Sequence, residues 1–489
     1  MKNKRIEKSY TPRFLGFLLL LLLQSTAHGQ GLAGDYVIGS APADFTDLET
    51  AILELGKQGM TAPVKFLLKA EEFETHVNID SIPRLGQTDD LLTITSADEG
   101  TQSTLFYEAT GSADNWVIQL EGVTHVKIQD LTLEARGNND FAKIVDIKDD
   151  STFIEISDNV FNNYFPSISA GVDEASSLVA DSVSNVSDIN IIGNQFLSGG
   201  GAIHFEGMLN NQIESLNIAN NHFDEQMGTG GFYALKLLSI NDLTVIGNVV
   251  TNHQDNAKGV DLFRAYGALF DGNQINMLGG GNGSVALRVF FNNVIGGGDT
   301  VVSNNFIQAA KTGVWISSGN SRVKLLHNSI VVSGFASNQT NHAVLIGAND
   351  NEDIEVINNI IQSKNALSIS KVMEISDSTA ILESNHNVFK GEVAMDFEFT
   401  VNGNDYPAFA DYQASTFFDA QSIDKAIDFV NQPQGDLHLT LMQYSDADLK
   451  TVTLPEVGID IDGEPRSPVT PLIGADDVYS DLIFVSGFE

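Results

Sequence analysis

Between residues 159 and 387 an asparagine followed two residues later by an apolar side chain recurs at intervals of 23 to 35 residues, at Asn159, Asn194, Asn221, Asn248, Asn273, Asn305, Asn328, Asn359 and Asn387. The 228 residues spanned by these eight intervals give a mean period of 28.5. A repeat of that length that cannot bury its apolar face alone must stack on its neighbours, so the chain is constrained to a quasi-one-dimensional fold. Ahead of each asparagine the sequence alternates, as in Asp188-Ile189-Asn190-Ile191, Leu216-Asn217-Ile218 and Asp353-Ile354-Glu355-Val356. Alternation with period two marks a strand with one buried face. Asparagine suits the corner that follows, because it tolerates left-handed backbone and satisfies turn amides. A second strand reads small-aliphatic-x-aliphatic: Ala202-Ile203-His204-Phe205, Ala234-Leu235-Lys236-Leu237, Gly259-Val260-Asp261-Leu262, Ala286-Leu287-Arg288-Val289, Gly313-Val314-Trp315-Ile316, Ala343-Val344-Leu345-Ile346 and Ala366-Leu367-Ser368-Ile369. Several short strands with sharp corners and no room for a long helix predict an all-β parallel β-helix solenoid. The leucine-rich consensus is absent, and a propeller blade needs roughly 40 residues or more.

Before the repeats, Lys2, Lys4, Arg5, Lys8 and Arg13 precede an apolar run from Phe14 to Leu23 and then Ala27-His28-Gly29. That order predicts a secretory signal peptide over residues 1–29, too short in its apolar part to span a bilayer. The expected mature protein is therefore secreted or extracellular, with a bacterial cell surface as an alternative location, and without a membrane span. There is no cysteine, so an exported chain of this kind holds together by packing and hydrogen bonds alone. It carries 64 acidic and 26 basic side chains, a net charge of −38, which argues against nucleic acid as a partner. Residues 230–325 break that balance with seven basic and five acidic side chains.

Further residues give the chain a resemblance. Gly34-Asp35-Tyr36-Val37-Ile38-Gly39 with Asp44-Phe45-Thr46-Asp47-Leu48, then Asn115-Trp116-Val117-Ile118-Gln119-Leu120-Glu121-Gly122, and near the end Ile459-Asp460-Ile461-Asp462-Gly463-Glu464-Pro465-Arg466 with Ile473-Gly474-Ala475-Asp476, resemble the secreted right-handed parallel β-helix proteins of the pectin-lyase-like superfamily. The resemblance implies a right-handed coil over nearly the whole mature chain. Asp44 is expected to N-cap a helix near 44–58 whose stripe Phe45, Leu48, Ala51, Ile52 and Leu55 covers the first coil. The expected organisation is a cap and first coils over 30–113, repeats over 114–400, and final coils, closure and a short tail over 401–489. Ile483-Phe484 through Gly487-Phe488-Glu489 resembles a tail of some exported bacterial proteins.

In the small-aliphatic-x-aliphatic strands the x side chain points outward, so stacked coils line up His204, Lys236, Asp261, Arg288, Trp315, Leu345 and Ser368 about 4.8 Å apart. Two residues further along, Glu206, Phe263, Phe290 and Ser317 extend the same face. Aromatic rings stack on sugars, cations hold uronate or sulfate groups, and Lys, His or Arg move protons. The row therefore predicts a polysaccharide or cell-surface glycan as partner. His204, Lys236, Asp261 and Arg288 are the candidate catalytic groups, and Trp315, Phe263 and Phe290 the candidate substrate platform. If the chain is an enzyme, the chemistry expected is that of a polysaccharide lyase or glycoside hydrolase. The alternative is a non-catalytic structural or adhesive protein in which Lys236, Asp261 and Arg288 form a surface charge ladder, each pair worth little.

The superfamily's enzyme motifs are incomplete here. Gly313-Val314-Trp315-Ile316 is similar to the start of the pectate lyase Trp-Ile-Asp-His motif, but Ser317 and Ser318 replace its Asp and His. The Gly-His-Gly element of polygalacturonases is absent, which places Arg322-Val323-Lys324 on a charged strand face. Asp460-x-Asp462-Gly463 matches a calcium loop in part, with Gly458 and Val469 where ligands belong, so calcium stays open as a cofactor and no metal ligand is named. The long interval between Asn159 and Asn194, with Tyr164, Phe165, Asp173 and Glu174, predicts a surface excursion or a wall beside the row. A monomer is expected.

Overall fold

A computed structural model describes residues 31–477 apart from 84, 86–90, 99, 138–139, 165–170, 181, 227–232, 257, 280–282, 293–296, 334–339, 349, 365–369 and 393–397. The predicted signal peptide, the C-terminal tail, Phe165 and Ser368 lie outside the described residues.

The chain is a parallel β-solenoid. Each central coil passes through three faces in a fixed order: face C, which carries the outward row; face A, which precedes the asparagine corner; and face B, which follows it. One coil illustrates the path, with Gly201–Glu206 on face C, Ile213–Ala219 on face A and His222–Gln226 on face B. Face B forms its own sheet of 13 strands, whereas faces A and C join in one 25-stranded sheet. They join because the strand Leu235–Ile246 turns the corner unbroken, pairing through Leu235 on face C and through Leu243 on face A. Parallel neighbours need a long crossover, and here the rest of each coil supplies it.

The alternating pattern places one side chain of each pair inside. Ile189 and Ile191 on face A, and Ile203 and Phe205 on face C, are completely buried. The apolar residue two positions after each asparagine is the inward residue of face B, giving the stack Phe161, Phe196 and Phe223 with ring centroids 4.5 and 4.9 Å apart. Each such side chain contributes about 2 kcal/mol relative to exposure, and repetition makes the core continuous.

The nine asparagines form a buried ladder. Asn194 Oδ1 accepts from the Asn159 backbone N–H and its Nδ2, both at 3.0 Å, and the Asn194 Nδ2 donates to Ile156 O at 2.8 Å. The same links run through every rung to Asn387, where Ser422 Oγ accepts the last N–H and Asp419 Oδ1 the last Nδ2. The left-handed residue is not the ladder asparagine, as the sequence suggested, but the one before it: Asp158, Gly193, Asn220, Gly247, Gly272, Asn304, His327, Asn358 and His386 all have positive φ. The turn is made one residue early so that the asparagine side chain can point inward and bridge coils.

Helix α1 (Leu48–Gln58) covers the first coil with Leu48, Ala51, Ile52 and Leu55 buried. Its N-cap is Asp47, whose side chain accepts from Thr50 N at 2.7 Å, and not the expected Asp44. Asp44 instead accepts from Val37 N at 2.8 Å, and Phe45 bridges to Ile38, so strand pairing claims both residues. At the other end helix α2 (Phe409–Thr416) closes the core by stacking Tyr412 on Phe399. The last parallel strand is Ile423–Asp424. From Lys425 onward the chain leaves the coil and folds back over face B, burying Ile427, Leu437, Leu439, Leu449 and Ile473 against Phe306, Val331, Ile360 and Val388. Among the described residues no helix is long and apolar enough to cross a membrane.

Candidate functional site

Register on face C runs without a break through Asn78, Gln119, Asp146, Val179, His204, Lys236, Asp261, Arg288, Trp315, Leu345, Glu374 and Thr400. Six of the residues singled out from sequence are therefore direct neighbours. The seventh position belongs to Glu374, on the strand Ser370–Ile375, and not to Ser368. Glu206, Leu238, Phe263 and Phe290 form the second outward row.

The row is unevenly covered, with Lys236, Arg288, Trp315 and Leu345 half-buried. His204 is 5% exposed and Asp261 1%, although both point away from the core. Arg288 grips Asp261 bidentately, Nε to Oδ1 at 2.7 Å and Nη2 to Oδ2 at 2.6 Å. Burial pulls the guanidinium pKa down, but the hydrogen bonds and charge of Asp261 outweigh it and hold it above its ordinary value. Three rings surround the Arg288 Cζ, those of Phe290, Tyr233 and Trp315, at 5.4, 5.6 and 5.9 Å. The pair is thus a braced ion pair in which each carboxylate oxygen accepts from Arg288.

His204 Nε2 stands 3.4 Å from Glu206 Oε2, outside hydrogen-bond geometry, and neither ring nitrogen has a hydrogen-bond partner among the described residues. The His204 contact nonetheless holds the Glu206 carboxyl below its usual value. Lys236 makes no ion pair or hydrogen bond among the described residues and acts on Glu206 through its charge. Phe263 and Phe290 meet edge to face at 5.0 Å, and Phe290 stacks on Phe291 at 4.3 Å.

Three neighbours escaped the sequence reading. Tyr233 stands three residues before Lys236, and Lys258 three before Asp261, at the same place in successive coils. That spacing was the available signal. Burial, then the Asp261 charge, pushes the Tyr233 hydroxyl up to about 12. Burial and then the Arg288 charge lower the Lys258 ammonium. Arg264 lies over Phe263 at 4.8 Å.

Other sequence features have structural roles. Lys324 pairs with Asp299 at 3.2 Å and Glu355 at 3.6 Å, and Arg322 with Asp299 at 3.7 Å. Glu174, in the long interval, accepts from Asn115 Nδ2 at 2.7 Å, while Tyr164 remains exposed. Asp460, Asp462 and Asp476 bring one oxygen each within 4.8 Å of the others. Each carboxylate has at least one oxygen engaged: Asp460 accepts from the N–H groups of Asp462, Glu464 and Asp477, Asp476 Oδ2 from Leu439 N and Tyr444 OH, and Asp462 Oδ2 pairs with His438 Nε2 at 3.0 Å. These carboxylates close turns. A cleft of about 630 Å³ lined by Lys65, Thr95, Asp98, Gln102, Gln129 and Asp130 lies near the N-terminal end, away from the row.

No family model matches the chain, and no curated protein does. Solved structures similar in shape include the complex of XylC with xylose, at 10% identity and TM-score 0.47, covering 91% of this chain and 98% of that one. The Dettilon tailspike protein (gp208) shares 10% identity with a TM-score of 0.43, over 73% of this chain and 65% of that one. A mannuronic acid specific polysaccharide family 6 lyase from human gut microbiota shares 12% with a TM-score of 0.39, over 82% and 93%.

Proposed function

We propose that this is an exported β-solenoid protein that binds an acidic polysaccharide along the outward row of its central coils. The observation that carries this reading is the company kept by Lys236. In a chain with 64 acidic and 26 basic side chains, a cation without an ion pair among the described residues stands next to His204 in a row that reaches Trp315 three coils on, with Phe263 and Phe290 in the second outward row. Rings for stacking and a cation for an acidic group are what a charged saccharide requires. In this reading Trp315 is the stacking platform, with Phe263 and Phe290 at the side. Lys236 neutralises charge, and His204 or Lys236 moves the proton if the glycan is cleaved. Asp261 and Arg288 hold the row in shape and position the rings.

A second reading, a non-catalytic structural or adhesive protein, is favoured by the closed Asp261–Arg288 pair, which leaves no free carboxylate at the centre of the row. One screen separates the two. The full chain is titrated with acidic and neutral polysaccharides while unsaturated uronate absorbance and reducing ends are followed, with and without calcium. Binding lost in K236M and W315A supports the site, and turnover lost in the same variants makes it catalytic. Absence of binding to every glycan refutes the proposal.

A further inference from the structure

Lys258 and Arg288 approach the same ring. Lys258 Nζ lies 5.1 Å and Arg288 Cζ 5.6 Å from the centre of Tyr233, which is itself only 7% exposed. Two cations on one ring repel each other in a half-buried place, where water screens poorly. Arg288 is neutralised by both oxygens of Asp261, whereas Lys258 feels that carboxylate only through its charge, with no ion pair to it. Lys258 makes no ion pair or hydrogen bond among the described residues, Lys236 is in the same condition in the adjacent coil, and Arg264 lies over the rings of Phe263 and Phe291. Elsewhere in this chain several cations are met by carboxylates, Lys127 by Glu155, Lys148 by Asp146, Lys371 by Glu374 and Lys390 by Asp424, and half-buried Lys364 is met by Ile427 O and Gln432 Oε1. A half-buried ammonium that has a ring but no carboxylate partner among the described residues, beside two more cations, gains from an anion supplied from outside.

We infer that Lys258 and Lys236, with the Tyr233 ring beside them, form a discrete anion subsite that takes the carboxylate or sulfate of a bound saccharide. This rests on the polysaccharide reading above and adds to it the residue that discriminates charged from neutral sugars. The lowered pKa of Lys258, caused by burial and then by Arg288, is what a cation awaiting its counter-ion shows. Anion binding therefore raises that pKa, and affinity falls as pH rises toward it.

The test titrates the full-length protein and its K258M and K65M variants calorimetrically with oligosaccharides of equal length, one carboxylated, one sulfated and one uncharged. Loss of a charge-assisted contact weakens acidic ligands in K258M by about tenfold or more, with neutral binding and all K65M values unchanged. Preference between the carboxylated and sulfated arms identifies the anion. Wild-type affinity for acidic ligands in K258M overturns the subsite while leaving the polysaccharide reading in place. Equal loss for neutral and acidic ligands also overturns it, because Lys258 then acts through packing. A second measurement is independent of any glycan: the Lys258 amine is titrated by NMR with and without inorganic sulfate. An upward shift that is absent at Lys65 supports the subsite, and an unmoved titration refutes it even if a glycan binds.

Discussion

Replacing one rung of the asparagine ladder should cost far more than a surface substitution, and Asn248 is the rung to change. It is 1% exposed. Its Nδ2 donates to Ile218 O at 2.9 Å, Ile246 O at 3.1 Å and Asn273 Oδ1 at 3.0 Å. Its Oδ1 accepts from the Asn221 N–H at 2.9 Å and Asn221 Nδ2 at 3.0 Å. In Asn248→Ala the Asn221 Nδ2 keeps Ile191 O and Ala219 O, and Ile246 O keeps the Asn220 N–H, but the buried Asn221 N–H loses the acceptor it had. An orphaned buried donor costs about 1–3 kcal/mol and a net lost bond about 1 kcal/mol; Asn221 Nδ2, Ile246 O and Asn273 Oδ1 keep other partners, so the Asn221 N–H and the bond to Ile218 O dominate and the loss should be about 3 kcal/mol. Urea unfolding followed by circular dichroism reads this as a lower midpoint at unchanged slope. Asn248→Asp sharpens the argument. A carboxylate there still accepts from Asn221 but faces three acceptor oxygens, so its pKa is raised in the folded state. A raised carboxyl pKa removes stability as pH rises through it, so this variant should be weakest at neutral pH and recover toward pH 4. A loss below about 1 kcal/mol in Asn248→Ala, within the range of ordinary surface changes, would refute the view that the ladder holds the coils together.

Arg288→Ala strands the buried Asp261 carboxylate and should destabilise by about 3 kcal/mol, whereas Lys236→Met, which breaks no ion pair, should leave the thermal midpoint within error of wild type. His438 is held by Asp462 and Asp436, which with burial opposing raise its pKa to about 9. The raised pKa means its contribution is complete below about pH 6.5 and is lost as pH climbs through 9. Hydrogen exchange in residues 425–477 should accelerate over that interval in wild type and show no such pH step in His438→Gln. Arg466, 5% exposed, donates to Ile459 O, Asn304 Oδ1, Gly474 O and Ala475 O. Arg466→Ala should free the folded-back segment to limited proteolysis after Lys425 while the repeat strands stay protected, and equal cleavage of both would contradict its role as the fastener.

The repeat and its faces were legible because strand periodicity and coil stacking are both local. Alternation tells which side chain is buried, and a constant Asn-x-apolar spacing tells which residues stack. The register of His204 through Leu345 followed from that alone. It failed at the next coil because two segments fit one pattern: Ala366-Leu367-Ser368-Ile369 and Val372-Met373-Glu374-Ile375 both read as apolar-x-apolar. The pairing Leu345 with Glu374 and Val344 with Met373 takes the second. Coil length varies in this solenoid, so nothing local chooses between two matches a few residues apart.

Burial on the outward face was not legible, for a different reason. Whether Asp261 is a free carboxylate depends on the length and reach of Arg288, 27 residues away in the next coil, and on the three rings that confine it. The sequence order Lys236, Asp261, Arg288 shows one carboxylate between two cations, and it leaves open which cation takes it. Arginine's planar fork matches a carboxylate in two bonds where an ammonium offers a point charge, so Arg288 wins. That choice turns a nominal row of alternating charge into one closed pair with Lys236 and Lys258 left over. A central segment of slightly positive charge in a strongly acidic chain is the trace of this arrangement in composition, and the proposed anion subsite is built on the two cations that the pairing leaves out.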